Sequence, residues 1–194
     1  MLPILADLPP QIQERVVCSI TAAMKYEVPA NIVLAVAEKE AGKPGQRVRN
    51  SSNGTYDVGP MQFNTAYLKD LARYGITAED VASTGCYSFD LAAWRLRMHI
   101  RNDKGDIWTK AANYHSRTPR YNAIYREDLK RRANKWADWL EASFITRDVS
   151  QSEVSNAKQN RVNTSSTTPM EKHKAKPAPH TVFTGYVPRE ITSK

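Results

Sequence analysis

The stretch Asn50-Ser-Ser-Asn-Gly-Thr-Tyr-Asp-Val-Gly-Pro-Met-Gln-Phe-Asn64 decides how the rest of the chain is read. Asn53-Gly54 between short β-prone pieces is a hairpin signal, because tight hairpin turns need positive φ. Gly59-Pro60-Met61-Gln62 then turns the chain back toward helix. Upstream, Ile32-Val-Leu-Ala-Val-Ala-Glu-Lys-Glu-Ala-Gly42 is an apolar run that ends in two acids. Its breadth predicts a helix over 30–41 buried on most sides, opened by Pro29 as a first-turn proline and closed by Gly42 as C-cap. The expected fold class is mainly α, with a small β-hairpin or irregular loop at 43–63.

Helical periodicity continues on both sides. Pro10 to Lys25 carries Ile12, Val16, Val17, Ile20 and Met24 close to an i, i+4 stripe. Helix resumes at Asn64 or Thr65 and stops at Gly75, and Thr77 caps a short turn through Val81. Ser88 is the expected cap of a helix to about Asn102. A shorter helix covers Ile107 to Tyr114. A long one covers Arg120 to Ala142, with Tyr125, Leu129, Trp136, Trp139 and Leu140 as core candidates. The expected domain is 9–145. From Thr146 the chain is rich in Ser, Thr, Asn, Lys and Pro with no apolar period, so 146–194 reads as a disordered basic tail. Its apolar piece at 181–188 is either a peptide that docks on a partner or a patch without a role.

The chain has 194 residues and a formal net charge of +8. That charge suits nucleic acid, an anionic membrane or an anionic cell-wall polymer, and does not choose among them. No apolar run is long enough for a membrane span. The start, Met1-Leu-Pro-Ile-Leu-Ala-Asp7, shows no export signal. Lys130-Arg-Arg132 lies on the long helix as a solvated face, and no nucleic-acid motif accompanies it. No His or Cys spacing resembles a metal site, and no phosphate loop or Ser-His-Asp arrangement is apparent, so no cofactor is expected. Cys18 and Cys86 are either one disulfide closing a long loop or two buried thiols, and cysteine count alone leaves both open.

Glu40 is the first candidate for chemistry. Burial and the negative end of the helix dipole both penalise its carboxylate and raise its pKa, as a general acid needs. Glu38 is the rival. Two residues apart on a helix, the pair points about 200° apart, so both cannot face one cleft. Periodicity alone does not decide between them. Gly59 permits a sharp turn or close approach, Met61 gives adaptable packing, and Gln62 offers a neutral donor and acceptor for sugar hydroxyl or acetamido groups. Tyr114 has a hydroxyl able to hold a catalytic carboxyl, and His115 is a candidate substrate ligand. Asp57 reads as a loop-bracing residue.

Together, Glu40-Ala41-Gly42, Gly59-Pro60-Met61-Gln62 and Asn113-Tyr114-His115 resemble the motifs of lytic transglycosylases with a goose-type lysozyme-like domain. The resemblance covers about Cys18 to Trp139. That family's pattern is Glu-Ser-Gly, Gly-Leu-Met-Gln and Ala-Tyr-Asn, and this register favours Glu40. The Asn-Gly-Thr-Tyr-Asp-x-Gly-x-Met-Gln string is most similar to the small enzymes of type IV secretion, conjugation and related envelope-spanning machines. The resemblance implies a lysozyme-like helical domain and a Cys18–Cys86 disulfide. It implies peptidoglycan glycan strands as substrate, with Glu40 catalytic and Gly59, Met61, Gln62, Tyr114 and His115 substrate-binding. It further implies a periplasmic location and secretion machinery as partner, engaged through the tail. Its expected reaction forms 1,6-anhydro-muramyl ends. The alternatives are a water-using muramidase of the endolysin type and a non-catalytic lysozyme-like assembly component. Ala41, Pro60 and His115 depart from the family's Ser, Leu and Asn.

Overall fold

A helix buried over its first eight residues organises the structure. In α2 (Ala30–Glu40), the eight residues from Ala30 to Ala37 are all buried. Ala30, Ala35 and Ala37 among them are small enough to let neighbouring backbones approach closely. Helices α1 (Pro10–Tyr26), α5 (Tyr87–Asn102) and α7 (Pro119–Ser143) pack against α2 and supply most of the core. This computed structural model describes residues 5–144 and the backbone of residues 147–148 and 185–186.

The sequence stripe on α1 is only half of its buried face. Val16 and Ile20 are buried, but Val17 is 47% exposed and Met24 38%. Cys18, Ser19, Ala22 and Ala23 complete the contact instead. Small side chains allow the close packing of α1 on α5, which pushes the larger apolar residues to the rim.

The 43–63 segment holds more order than one hairpin. β1 (Arg47–Arg49), β2 (Tyr56–Val58) and β3 (Phe63–Asn64) form an antiparallel sheet in that order, with Val48 opposite Asp57 and Asp57 opposite Asn64. The Asn53-Gly54 turn sits between β1 and β2, where the Asn53 side chain accepts from the Thr55 amide at 3.1 Å. Asn64 then caps α3 (Thr65–Leu71) by accepting from the Ala66 amide at 2.9 Å. Thr77 and Asp80 make a reciprocal capping box at α4 (Ala78–Ala82). α6 (Ile107–Ala112) begins at Asp106, whose side chain accepts from the Thr109 amide at 2.8 Å.

Two expected caps are reassigned. α5 starts after Cys86, and Ser88 is buried inside its first turn rather than capping it. α2 ends in a left-handed residue at Ala41, φ 47°, not at Gly42. Beyond α7, Arg147–Asp148 (β4) pairs in parallel with Gly185–Tyr186 (β5). The rest of the 146–194 tail, with its expected disorder, lies outside the described residues.

Cys18 in α1 is disulfide-bonded to Cys86 at the start of α5, with Cα atoms 4.9 Å apart and a sequence separation of 68. A cross-link over a loop of this size contributes about 2–4 kcal/mol by restricting the unfolded chain. Cys18→Ser with Cys86→Ser is therefore expected to lower the thermal midpoint by several degrees in protein that keeps its helical spectrum. An unchanged midpoint on full reduction, or two free thiols in a non-reducing peptide map, would contradict this.

Candidate active site

Glu40 closes α2, where the helix's unpaired carbonyls concentrate negative potential. Its carboxyl accepts a hydrogen bond from the Tyr125 hydroxyl of α7 at 2.7 Å. Burial pushes its pKa from 4.5 up to about 7, with the nearby Asp57 charge acting in the same direction. The Tyr125 hydrogen bond and the charges of Arg95 and Lys39 oppose the shift without cancelling it. A carboxylic acid held half-protonated near neutrality can both give and take a proton.

Glu38 is removed from this cleft. Its two oxygens accept from Arg132 Nη1 at 2.5 Å and Trp136 Nε1 at 2.8 Å, both on α7. The two acids thus leave α2 on different sides, as a 200° separation requires. Glu38 is spent as an anchor and Glu40 is left with one phenol.

The Gly59–Gln62 turn is pressed against the end of α2. The Gly42 amide donates to the Pro60 carbonyl at 3.1 Å. A Cβ on Gly42 would overlap the Gly59 carbonyl oxygen and the Gln62 side-chain amide. Gly59 itself sits at φ 70°, and a Cβ there would overlap the Val81 carbonyl. Gln62 lies at φ 49°, and its backbone amide and Nε2 both donate to the Gly59 carbonyl, at 3.1 and 2.8 Å. Its Nε2 is thereby directed and the side chain stays half-buried.

The structure divides the sequence candidates into two groups. Gln62 and His115 border the cleft, with the His115 ring stacked on Tyr125 at 4.8 Å between centroids. Desolvation lowers the His115 pKa, helped by the Lys39 charge, so the ring is neutral near pH 7. Met61 and Tyr114 lie beneath the cleft: Met61 is fully buried and Tyr114 is 3% exposed. The Tyr114 hydroxyl donates to the Met61 carbonyl at 2.9 Å and so holds the turn, not the acid. The tyrosine on the acid is Tyr125, which helical periodicity had placed simply in the core.

Arg95 was also missed by sequence reading. Its guanidinium lies over the rings of Tyr67 and Tyr114, at 4.2 and 4.6 Å. A buried-face arginine at mid-helix carries no local signature, and only the fold brings these rings around it. Asp57 accepts from Asn64 Nδ2 at 2.8 Å across the β2–β3 pair, a bracing role. Among the described residues no cluster of three or more His, Cys, Asp or Glu has metal-site geometry.

The family model described as "Transglycosylase SLT domain" matches residues 17–136. The chain is similar to Protein IpgF of Shigella flexneri, at 31% identity over 119 residues, covering 59% of this chain and 78% of that protein. It is also similar to invasion protein IagB of Salmonella typhimurium, at 23% identity over 143 residues, covering 72% and 86% respectively.

The Glu40 shift has a thermodynamic signature. The native state holds a proton that the unfolded chain releases, so stability falls as pH rises from about 4.5 to about 7 and then levels off. Glu40→Gln escapes this loss while keeping an acceptor for Tyr125. It is expected to melt above the parent at about pH 8, by up to ~3 kcal/mol, and to match it near pH 4. Equal stability at both pH values would show that the acid is not held in its neutral form.

Proposed function

Because this chain belongs to the transglycosylase SLT domain family, we propose that it cleaves the β-1,4 bond between N-acetylmuramic acid and N-acetylglucosamine in peptidoglycan, leaving 1,6-anhydro-muramyl ends. The observation that carries this reading is a single carboxyl, Glu40, held protonatable near neutrality at a helix end by burial and bonded to Tyr125. In the first step the Glu40 proton passes to the glycosidic oxygen as the bond from that oxygen to the muramyl anomeric carbon breaks. The resulting carboxylate takes the proton of the muramyl 6-hydroxyl. That oxygen bonds to the anomeric carbon, so the acid is regenerated and no water is consumed. One group with a pKa near 7 serves both steps, and Tyr125 supports the carboxylate between them.

Gln62, directed by the Gly59 carbonyl, and neutral His115 would orient the sugars. Met61 and Tyr114 would shape the subsite from below through the turn. A hydrolytic route needs a second carboxylate to activate water. Asp57 is close enough to influence Glu40, which favours that alternative, but its carboxylate is engaged by Asn64.

The similarity to an invasion protein supports a setting in which the wall is opened locally for an envelope-spanning secretion complex. The site of action would be the periplasm, with residues 146–194 serving as a recruiting arm. No helix among the described residues is long and apolar enough to cross a membrane.

Mass spectrometry of digested peptidoglycan tests the reaction. Anhydro ends are expected with the parent and no cleavage with Glu40→Gln, while the rate falls as pH rises through about 7. Reducing ends would establish the hydrolytic route, and activity retained in Glu40→Gln but lost in Glu38→Gln would move the acid. A chain ending at Phe144 is expected to cleave at the parental rate yet fail to co-purify with envelope partners. Loss of folding in that chain would place the boundary elsewhere.

A further inference from the structure

Lys39 and Glu40 end α2 as a cation and an acid side by side, and α7 sorts them. Tyr125 gives its hydroxyl to Glu40 at 2.7 Å. Asp128, one turn further along the same face of α7, takes the Lys39 ammonium at 2.6 Å. That ammonium lies 5.9 Å from the centre of the Tyr125 ring, so a single phenol stands between it and the acid. The Lys39 side chain is 35% exposed. A flexible four-carbon stem with an open solvent side can swing to Glu40 without repacking the core, and the Asp128 ion pair holds it back.

Asp128 is placed to keep its charge. Besides Lys39, both Arg131 and Arg132 of α7 donate to it, the latter from Nε at 3.1 Å. These bonds, that from Lys39 foremost, hold its carboxyl well below the usual carboxylate range. Its negative charge is therefore constant over the range in which Glu40 gains and loses its proton.

The groups that face Glu40 come from every element around it. Tyr125 of α7 donates to it, Asp57 of β2 adds negative charge, Arg95 of α5 adds positive charge, and Tyr114 and neutral His115 stand in the turn after α6. Burial raises both phenols far above neutrality, so neither carries charge. Arg95 is committed to the faces of Tyr67 and Tyr114, and Asp57 accepts from Asn64. Lys39 is the charge in this set that a change of rotamer would bring to the acid.

Resting on the reading of Glu40 as the proton donor of a glycosidic cleavage, we propose that Asp128 is a positioning residue of that reaction: it withholds Lys39 from Glu40 and so sets the upper pH limit of cleavage. Without the Asp128 charge, Lys39 turns to Glu40 and favours its carboxylate, and the proton is lost at a lower pH. An opposite charge at such range lowers the titration of a carboxyl by about 1–3 pH units.

Two readouts on the full chain test the proposal, one of them independent of cleavage. The first is the Glu40 carboxyl resonance in protein labelled with carbon-13 glutamate, assigned by its loss in Glu40→Gln. In Asp128→Asn its midpoint is expected to fall from about 7 by about one pH unit or more. The second is the pH profile of peptidoglycan cleavage, which in the same variant is expected to drop about tenfold at pH 8 and little at pH 5. Adding Lys39→Met to Asp128→Asn is expected to return both readouts to the parental position, a rescue that a mere loss of packing would not show. Lys39→Met alone is expected to leave both near the parental position, because the ammonium is already withheld. A midpoint unmoved in Asp128→Asn, a shift that persists in the double variant, or a rise of a full pH unit in Lys39→Met alone overturns the proposal. The last of these decides the matter even where Asp128→Asn does not fold. If the parent titrates as expected but cleaves nothing, the reading of Glu40 as a proton donor fails, and the resonance alone then decides whether Asp128 withholds the lysine.

Discussion

Two missing side chains hold this site together. The end of α2 and the Gly59–Gln62 turn occupy the same few ångströms, and they do so because neither Gly42 nor Gly59 carries a Cβ. Through Gly42 the turn is bonded to the residue following the acid's own helix cap. Through Gly59 it abuts the Val81 carbonyl of α4, and through Met61 it receives the Tyr114 hydroxyl. Ala41 and Gln62, one on each side of this contact, are both at positive φ. Such positions cost on the order of 1–3 kcal/mol each and persist only when the surroundings over-determine them. Here the surroundings are three backbone hydrogen bonds, a side-chain amide and a buried phenol, all converging on four residues.

The electrostatics of the cleft follow from what α7 does with the charges of α2. Lys39 is next to Glu40 in sequence and would be its natural counter-ion. It is instead paired with Asp128 of α7 at 2.6 Å. Lys39 and Arg132 together hold the Asp128 carboxyl well below the usual carboxylate range. Arg132 also takes Glu38. One helix therefore claims both charged neighbours of the acid and offers it only Tyr125. Had Lys39 turned toward Glu40, the opposite charge would have favoured the ionised form and removed the proton that the proposed reaction needs.

The legible and illegible parts of the sequence separate along this line. Local signals worked where the determinant is local. The breadth of the apolar run placed α2, Asn53-Gly54 placed the β1–β2 turn, and Thr77 marked the cap of α4. The acid's place at a helix end was readable, but its identity required the motif register, because the Arg132 and Trp136 that bind Glu38 lie more than ninety residues away. Tyr114 and Tyr125 were exchanged for the same reason. Both are buried aromatics, and only tertiary packing sends one hydroxyl to a carbonyl and the other to the acid. The one available hint was His115, which stacks on Tyr125 and so draws that ring toward the cleft. At Gly42 a helix-cap rule pointed to the right residue for the wrong cause: the glycine is needed for contact across the site, and the helix stops one residue earlier.

The disulfide divides the molecule in a way that its two positions alone do not convey. The covalent ring from Cys18 to Cys86 contains Glu40 and the whole Gly59–Gln62 turn, whereas Tyr114 and His115, in the turn after α6, and Tyr125 of α7 lie outside it. The cleft is thus a seam between a cyclised half and a linear half. Motions that lift α6 and α7 need not break any part of the ring, yet they strip the acid of its phenol and the turn of its brace at once. Hydrogen exchange across such a seam would find the contacts to Glu40 and to the turn opening as one unit, ahead of the ring that carries the acid. The cross-link therefore protects the polypeptide more than the cleft, and the durability of the cleft rests on how firmly the linear part lies against α2.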